Sequence, residues 1–165
     1  MAINDKFANL AVINATVTGG AGIEFVELAT GIGLSQGMGI AIDAIEYHIA
    51  RNLIADFDAD EEYIAMALVT SNTVASLGIE VKQVIDKFEL GAYYLGAAAS
   101  GNFVKTPQEI HDFFPPLIVA APRLYLATQA VAGLEGTAKV RIRFRYVKLS
   151  TQEYLEIAES FVLVG

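Results

Sequence analysis

"GTAKVRIRFRYVKLS", residues 136–150, sets Lys139, Arg141, Arg143 and Arg145 in strict alternation with Val140, Ile142, Phe144 and Tyr146. Successive side chains of an extended strand point to opposite faces, whereas a helix would scatter both sets around its axis. The stretch therefore predicts a long antiparallel strand over 139–149, with Val140, Ile142, Phe144 and Tyr146 turned inward and the cations turned out. What the cationic face meets is the functional question, because the chain as a whole has a net charge of −8.

Runs of the same kind recur at 10–19, 23–29, 38–50, 62–71, 88–96 and 117–131, separated by Gly, Asn, Asp or Pro. Seven or eight short strands with turn signals between them predict a mainly β chain, an antiparallel sandwich or barrel. Within 38–50, Ile40 and Ile42 share one parity and Ile45, Tyr47 and Ile49 the other. One extra residue in a β-bulge produces such a slip. Three short helices are expected between or after the strands. "TPQEIHDFF" (106–114) has Thr106 as N-cap, Pro107 in the first turn and Glu109 for a capping box, with Pro115 and Pro116 to end it. "STQEYLEIAES" (150–160) repeats the device with Ser150 and Glu153, and Tyr154, Leu155 and Ile157 supply an apolar side. "IEVKQVIDKF" (79–88) is the weakest, since its β-branched residues serve a strand equally well.

The 165 residues make about one domain, spanning 1–165, and the chain is 54% hydrophobic with a mean hydropathy of +0.45. Only 18% of it is charged, against about a quarter in an ordinary soluble protein. No transmembrane span absorbs the surplus. The apolar stretch 115–134 holds Pro122 and Arg123, and 31–50 holds glycines, Gln36, Asp43 and Glu46 within the roughly 20 residues a span needs. The surplus is expected in protein–protein contacts, where large apolar patches belong. Residues 1–15 do not read as a signal or transit peptide and carry no basic arm. Direct nucleic-acid binding is therefore not expected. The absence of cysteine excludes disulfides, thiolate metal sites and a cysteine nucleophile.

No motif for catalysis emerges. "TGIGLSQGMGI" (30–40) holds Gly31, Gly33, Gly37 and Gly39, but Gln36 stands where GxGxxG needs its last glycine, and the P-loop Lys-Ser/Thr is missing. An inter-strand loop or a glycine-lined contact is the better reading. "DFDADEE" (56–62) gathers Asp56, Asp58, Asp60, Glu61 and Glu62. With Asp56 as first ligand, the EF-hand glycine falls on Glu61 and the bidentate glutamate on Ala67, so a solvated turn is preferred to a cation site. The loop is also a candidate partner for the basic stripe of a neighbouring copy. His48 and His111 stand near no nucleophile motif and read as ordinary, partly buried side chains. Phe144 and Tyr146 lie opposite the arginines, which removes the interleaved stacking expected of a nucleic-acid platform.

"PPLIVAAPRLYLATQAVAGLEGTAKVRIRFRYVKLSTQEYLEI" (115–157), following "FVELATGIGLSQGMGIAIDAIEYHI" (25–49), resembles the single jelly-roll capsid proteins of small tailless viruses and their environmental relatives. The resemblance covers residues 10–158 as a pattern of strands and connections. It implies a jelly roll of about eight strands in two facing sheets, tiling a closed viral shell in many copies. It departs from the RNA-virus coats that carry a basic N-terminal arm, so the genome would be screened by an internal membrane or another protein.

The expectation is thus a structural coat subunit of a virion, not an enzyme, with no cofactor and no metal. Its partners would be other copies of itself, with companion coat or vertex proteins. Lys139, Arg141, Arg143 and Arg145 would meet acidic surface on a neighbour, with Asp56, Asp58, Asp60, Glu61 and Glu62 as candidates. The alternative is a carbohydrate- or ligand-binding jelly-roll module. The absence of tryptophan weakens a sugar platform, although Tyr93 and Tyr94 could offer one.

Overall fold

Two antiparallel sheets face each other in the computed structural model, which describes residues 2–3, 8–30, 37–50, 62–91 and 108–162. In chain order the strands are β1 (Ala2–Ile3), β2 (Asn9–Thr18), β3 (Glu24–Ala29), β4 (Met38–Ile49), β5 (Tyr63–Val69), β6 (Val84–Gly91), β7 (Gln108–Val119), β8 (Arg123–Ala130) and β9 (Glu135–Lys148). The helix α1 (Thr151–Val162) follows. The first sheet has the order β2-β9-β4-β7, with β1 beside the end of β9, and the second has β3-β8-β5-β6. Partners nest in sequence: β2 with β9, β3 with β8, β4 with β7 and β5 with β6. One long antiparallel ribbon is thus rolled up so that β4 also pairs with β9 and β5 with β8, which makes a jelly roll.

The alternation of β9 explains its central place. Ala138, Val140 and Ile142 are fully buried in the core with Ile13, Ala15 and Val17 of β2, and the intervening side chains point outward. Phe144 and Tyr146 also turn inward but are only partly buried, because they line the end of the sandwich. The turns that enter and leave this pair pack on each other: Gly19 N–H donates to the Leu134 carbonyl at 2.8 Å and Gly20 N–H to the Ala130 carbonyl at 3.0 Å. A Cβ at Gly19 would run into the Val131 carbonyl, so only glycine fits there.

The phase slip in β4 is a bulge. Ile42 lies opposite Phe144 and Ala44 opposite Arg143, two consecutive residues of β9, which leaves Asp43 as the extra residue. Along the other edge, Ile42 is opposite Leu117 and Ala44 opposite Asp112, so residues 113–116 arch past the same point, with a cis Phe114–Pro115 bond. Ile45, Tyr47 and Ile49 thereby join Ile40 and Ile42 in the core.

α1 begins with the expected capping box: Glu153 N–H donates to Ser150 Oγ at 3.2 Å, and Ser150 N–H to Glu153 Oε2 at 2.8 Å. The backbone bond from Ser150, then its hydroxyl, holds the Glu153 carboxyl below the usual carboxylate range. Tyr154, Ile157 and Ala158 pack on Ala41, Ala120, Val147 and Leu149, so the helix covers one end of the first sheet's outer face. Leu155, expected on the apolar side, is half exposed instead.

Several expectations are corrected. The helix expected over 106–114 is strand from Gln108 onward, because pairing with β4 overrides local capping signals, and Thr106 and Pro107 lie outside the described residues. Segment 79–88 is a turn followed by β6, which starts before the expected 88. The single run 117–131 is divided by a turn at 120–122, where Ala120 and Ala121 are themselves buried and give no polar signal. The helices expected as connections are thus replaced, among the described residues, by one helix after the last strand. No helix among them is long and apolar enough to cross a membrane.

The graded burial along β9 has a measurable consequence. Ile142→Ala should destabilise the fold by about 2–5 kcal/mol in urea unfolding, while Phe144→Ala should fall short of the about 3–5 kcal/mol of a fully enclosed ring. A negligible loss at Ile142, or a loss at Phe144 as large as that of a fully enclosed ring, would contradict the burial of these two positions.

Candidate interaction face

The outer face of the first sheet is a grid fixed by strand register. Arg143 is flanked by Leu10 on β2 and Ala44 on β4, and Ala44 by Asp112 on β7. In the next row Arg141 lies between Val12 and Glu46, with Ile110 beyond. The third row runs Asn14, Lys139, His48, Gln108. Arg141 and Arg143 therefore have an apolar edge on one side and carboxylates on the other, whereas Lys139 lies between Asn14 and His48.

Three of the four cations find those carboxylates within their own sheet. Arg141 Nη1 lies 3.0 Å from Glu46 Oε2, and Gln108 Nε2 donates to the other oxygen of Glu46 at 2.6 Å. Arg143 reaches across the small Ala44 to place Nη2 3.3 Å from Asp112 Oδ1. Arg145 meets the bulge residue Asp43 with two nitrogens, Nε at 3.0 Å and Nη2 on the second oxygen. Lys139 makes no ion pair among the described residues.

These partners, Asp43, Glu46 and Asp112, were not singled out from the sequence, because only the register reveals them. Of the acidic candidates, Asp56, Asp58, Asp60 and Glu61 lie outside the described residues, and Glu62 is buried just before β5 of the second sheet. Tyr93, Tyr94, Gly31 and Gly33 also lie outside them. Gly37 adopts a positive φ of 56°, and a Cβ on Gly39 would press into Leu149, so this part of the glycine-rich stretch serves the turn into β4.

Apolar side chains stand between the charges. Leu10 is 67% exposed, and Val12 and Ile110 are each 53% exposed. They wall two shallow grooves of about 300 Å³ and 230 Å³, with the Arg141–Glu46 pair as the ridge between them. A third space, of about 150 Å³, lies between the sheets and is lined by Leu28, Leu124, Ile142, Phe144 and Tyr146.

A separate polar cluster bridges the sheets. His111 on β7 places Nδ1 2.6 Å from Asp86 Oδ2 on β6 and Nε2 3.1 Å from Glu109 Oε1. The His111 ring meets Tyr47 edge-on with centroids 5.6 Å apart, and Tyr47 stacks on Phe88 at 5.8 Å. Burial, then the Asp86 charge, pushes the Tyr47 phenol well above its ordinary pKa. Among the described residues its hydroxyl has no partner of hydrogen-bonding geometry, so Asp86 acts on it through proximity. The two carboxylates sit at opposite ring nitrogens of His111 and do not converge, and no group of three or more metal-ligating side chains does so among the described residues.

No protein-family model and no characterised protein matches the chain.

A neutral imidazole can donate from one nitrogen only, yet both nitrogens of His111 face carboxylates, an arrangement that suits the protonated ring. Burial lowers the His111 pKa, but the hydrogen bonds and charges of Asp86 and Glu109 outweigh it and raise the net value. A raised folded-state pKa stabilises fully below the unfolded value of about 6.5, and that stabilisation is lost as pH rises through the folded value. Urea midpoints taken from pH 6 upward should therefore decline, and His111→Gln should flatten the decline. An unchanged slope in the variant would assign the pH dependence elsewhere.

Proposed function

We propose that this protein is a structural coat subunit that self-assembles into a closed viral shell. The observation that carries the reading is the display of large apolar side chains on several separate parts of the jelly roll. Leu10, Val12 and Ile110 stand on the outer face of the first sheet, Phe114 projects fully from the arch of β7, Ile79 from the turn segment before β6, and Leu155 from α1. A binding module needs one such patch, whereas a tile held by several neighbours needs several. The rolled topology and the apolar composition support the same reading.

The basic stripe suits protein contact better than nucleic acid. Glu46, Asp112 and Asp43 already neutralise three of its cations, so a phosphate would compete with fixed carboxylates at each of them. Companion coat or vertex proteins are further partners on this reading, and an apposed internal membrane or another protein would screen the genome. The alternative, a ligand-binding jelly-roll module, draws on the 150 Å³ apolar space between the sheets.

Size-exclusion chromatography with light scattering separates the two. Closed particles of many copies, forming with a sharp concentration dependence, are expected of a coat subunit. A monomer at all concentrations that takes up a small apolar or sugar ligand would overturn the coat reading.

A further inference from the structure

The basic stripe is unevenly used. Arg145 engages both oxygens of Asp43, Arg143 offers Asp112 one nitrogen at 3.3 Å, and Arg141 offers Glu46 one nitrogen at 3.0 Å. Lys139 meets no carboxylate among the described residues. Engagement by carboxylate thus falls along β9, from two nitrogens at Arg145 through one each at Arg143 and Arg141 to none at Lys139 among the described residues. The less engaged end is also the end that exposes Leu10, Val12 and Ile110.

A surface of the opposite character lies elsewhere on the same chain. α1 contains Glu153, Glu156 and Glu159 and no Lys or Arg. At 100° per residue, Gln152, Leu155, Glu156 and Glu159 share one side, opposite the Tyr154, Ile157 and Ala158 side that packs on the sheet. Leu155 is half exposed at the edge of that side, beside Glu156 and Glu159, which make no ion pair among the described residues. Among the described residues no ion pair joins helix and stripe within one copy. α1 is anchored over Val147, eight residues or about 26 Å along β9 from Lys139.

We propose that the Leu155–Glu156–Glu159 side of α1 docks on the Lys139–Arg141–Arg143 end of the first sheet in a second copy, joining copies head to tail. The inference rests on the self-assembly reading and specifies its contact. Stripe against stripe would oppose cations, and helix against helix would oppose glutamates. Only the unlike pairing matches charge with charge while Leu155 meets the Leu10, Val12 and Ile110 walls. Such a heterologous contact leaves a pair of copies with one unused helix and one unused stripe, so it grows until a ring or shell closes.

Two variants test it. Leu10→Asp with Lys139→Glu spoils the stripe without replacing any member of the Arg141–Glu46 and Arg143–Asp112 pairs. Leu155→Gln with Glu156→Gln and Glu159→Gln spoils the helix side while keeping good helix formers. Circular dichroism and the thermal midpoint check that each folds; if the stripe variant does not, Val12→Asp, also at an exposed position, replaces it. Each variant alone should remain monomeric under conditions where the wild type assembles. Mixed, they should form a one-to-one complex of twice the chain mass and nothing larger, because one intact helix meets one intact stripe. A wild type that stays monomeric overturns the self-assembly reading and this contact with it. A wild type that assembles, while either variant alone also assembles or the mixture stays monomeric, overturns the head-to-tail contact alone.

Discussion

β9 cannot bury Val140 and Ile142 without displaying Lys139, Arg141 and Arg143, and the architecture follows from that coupling. Burying each aliphatic side chain contributes about 1.5–3 kcal/mol, whereas an exposed ion pair contributes about 0–1 kcal/mol, so the apolar side decides which way the strand faces. Ladders to β2 on one edge and β4 on the other then fix the strand in the interior of the first sheet. The stripe's position is thus a consequence of core packing, and the carboxylates around it accommodate a charge pattern that the core imposes.

The bulge at Asp43 makes that accommodation possible. Without an extra residue, the parity of Ile40 and Ile42 would continue and place Glu46 and His48 inside, with Ile45, Tyr47 and Ile49 in solvent. With it, one strand supplies five large core residues and also a row that brings Glu46 beside Arg141 and His48 beside Lys139. Asp43 itself meets Arg145. The arch of residues 113–116 on β7 matches the bulge and keeps Asp112 within reach of Arg143.

What the sequence discloses and what it hides divide along the same physical line. The alternation of β9, the parity slip of β4 and the Ser150–Glu153 box are local patterns, readable because their causes lie within a few residues. The strand β7 is not local: "TPQEIHDFF" has good helix signals, and only pairing with β4, more than 60 residues earlier, makes it extended. The turn between β7 and β8 is masked in the sequence because Ala120 and Ala121 are apolar and buried like the strands around them. The acidic partners of the stripe depend on register across three strands. The Asp/Glu-rich run 56–62 is conspicuous in the sequence, whereas the carboxylates of β4 and β7 that reach the arginines stand singly along their strands.

Intramolecular pairing and intermolecular docking need not compete on such a face. A long cationic side chain that is free in solution gives up about 0.5–1.5 kcal/mol of rotamer freedom when a partner immobilises it. Glu46 and Asp112 each hold one nitrogen of an arginine, and Gln108 steadies Glu46 in turn, so much of that ordering is complete in the single chain. The remaining N–H groups are then presented at spacings set by the ladder, between side chains of fixed apolar character. Because exposed pairs add so little to folding, the fold places few demands on their exact strength. Selection on such pairs would act chiefly through what they present to a neighbour, and the least committed cation, Lys139, would be the one most free to tune it.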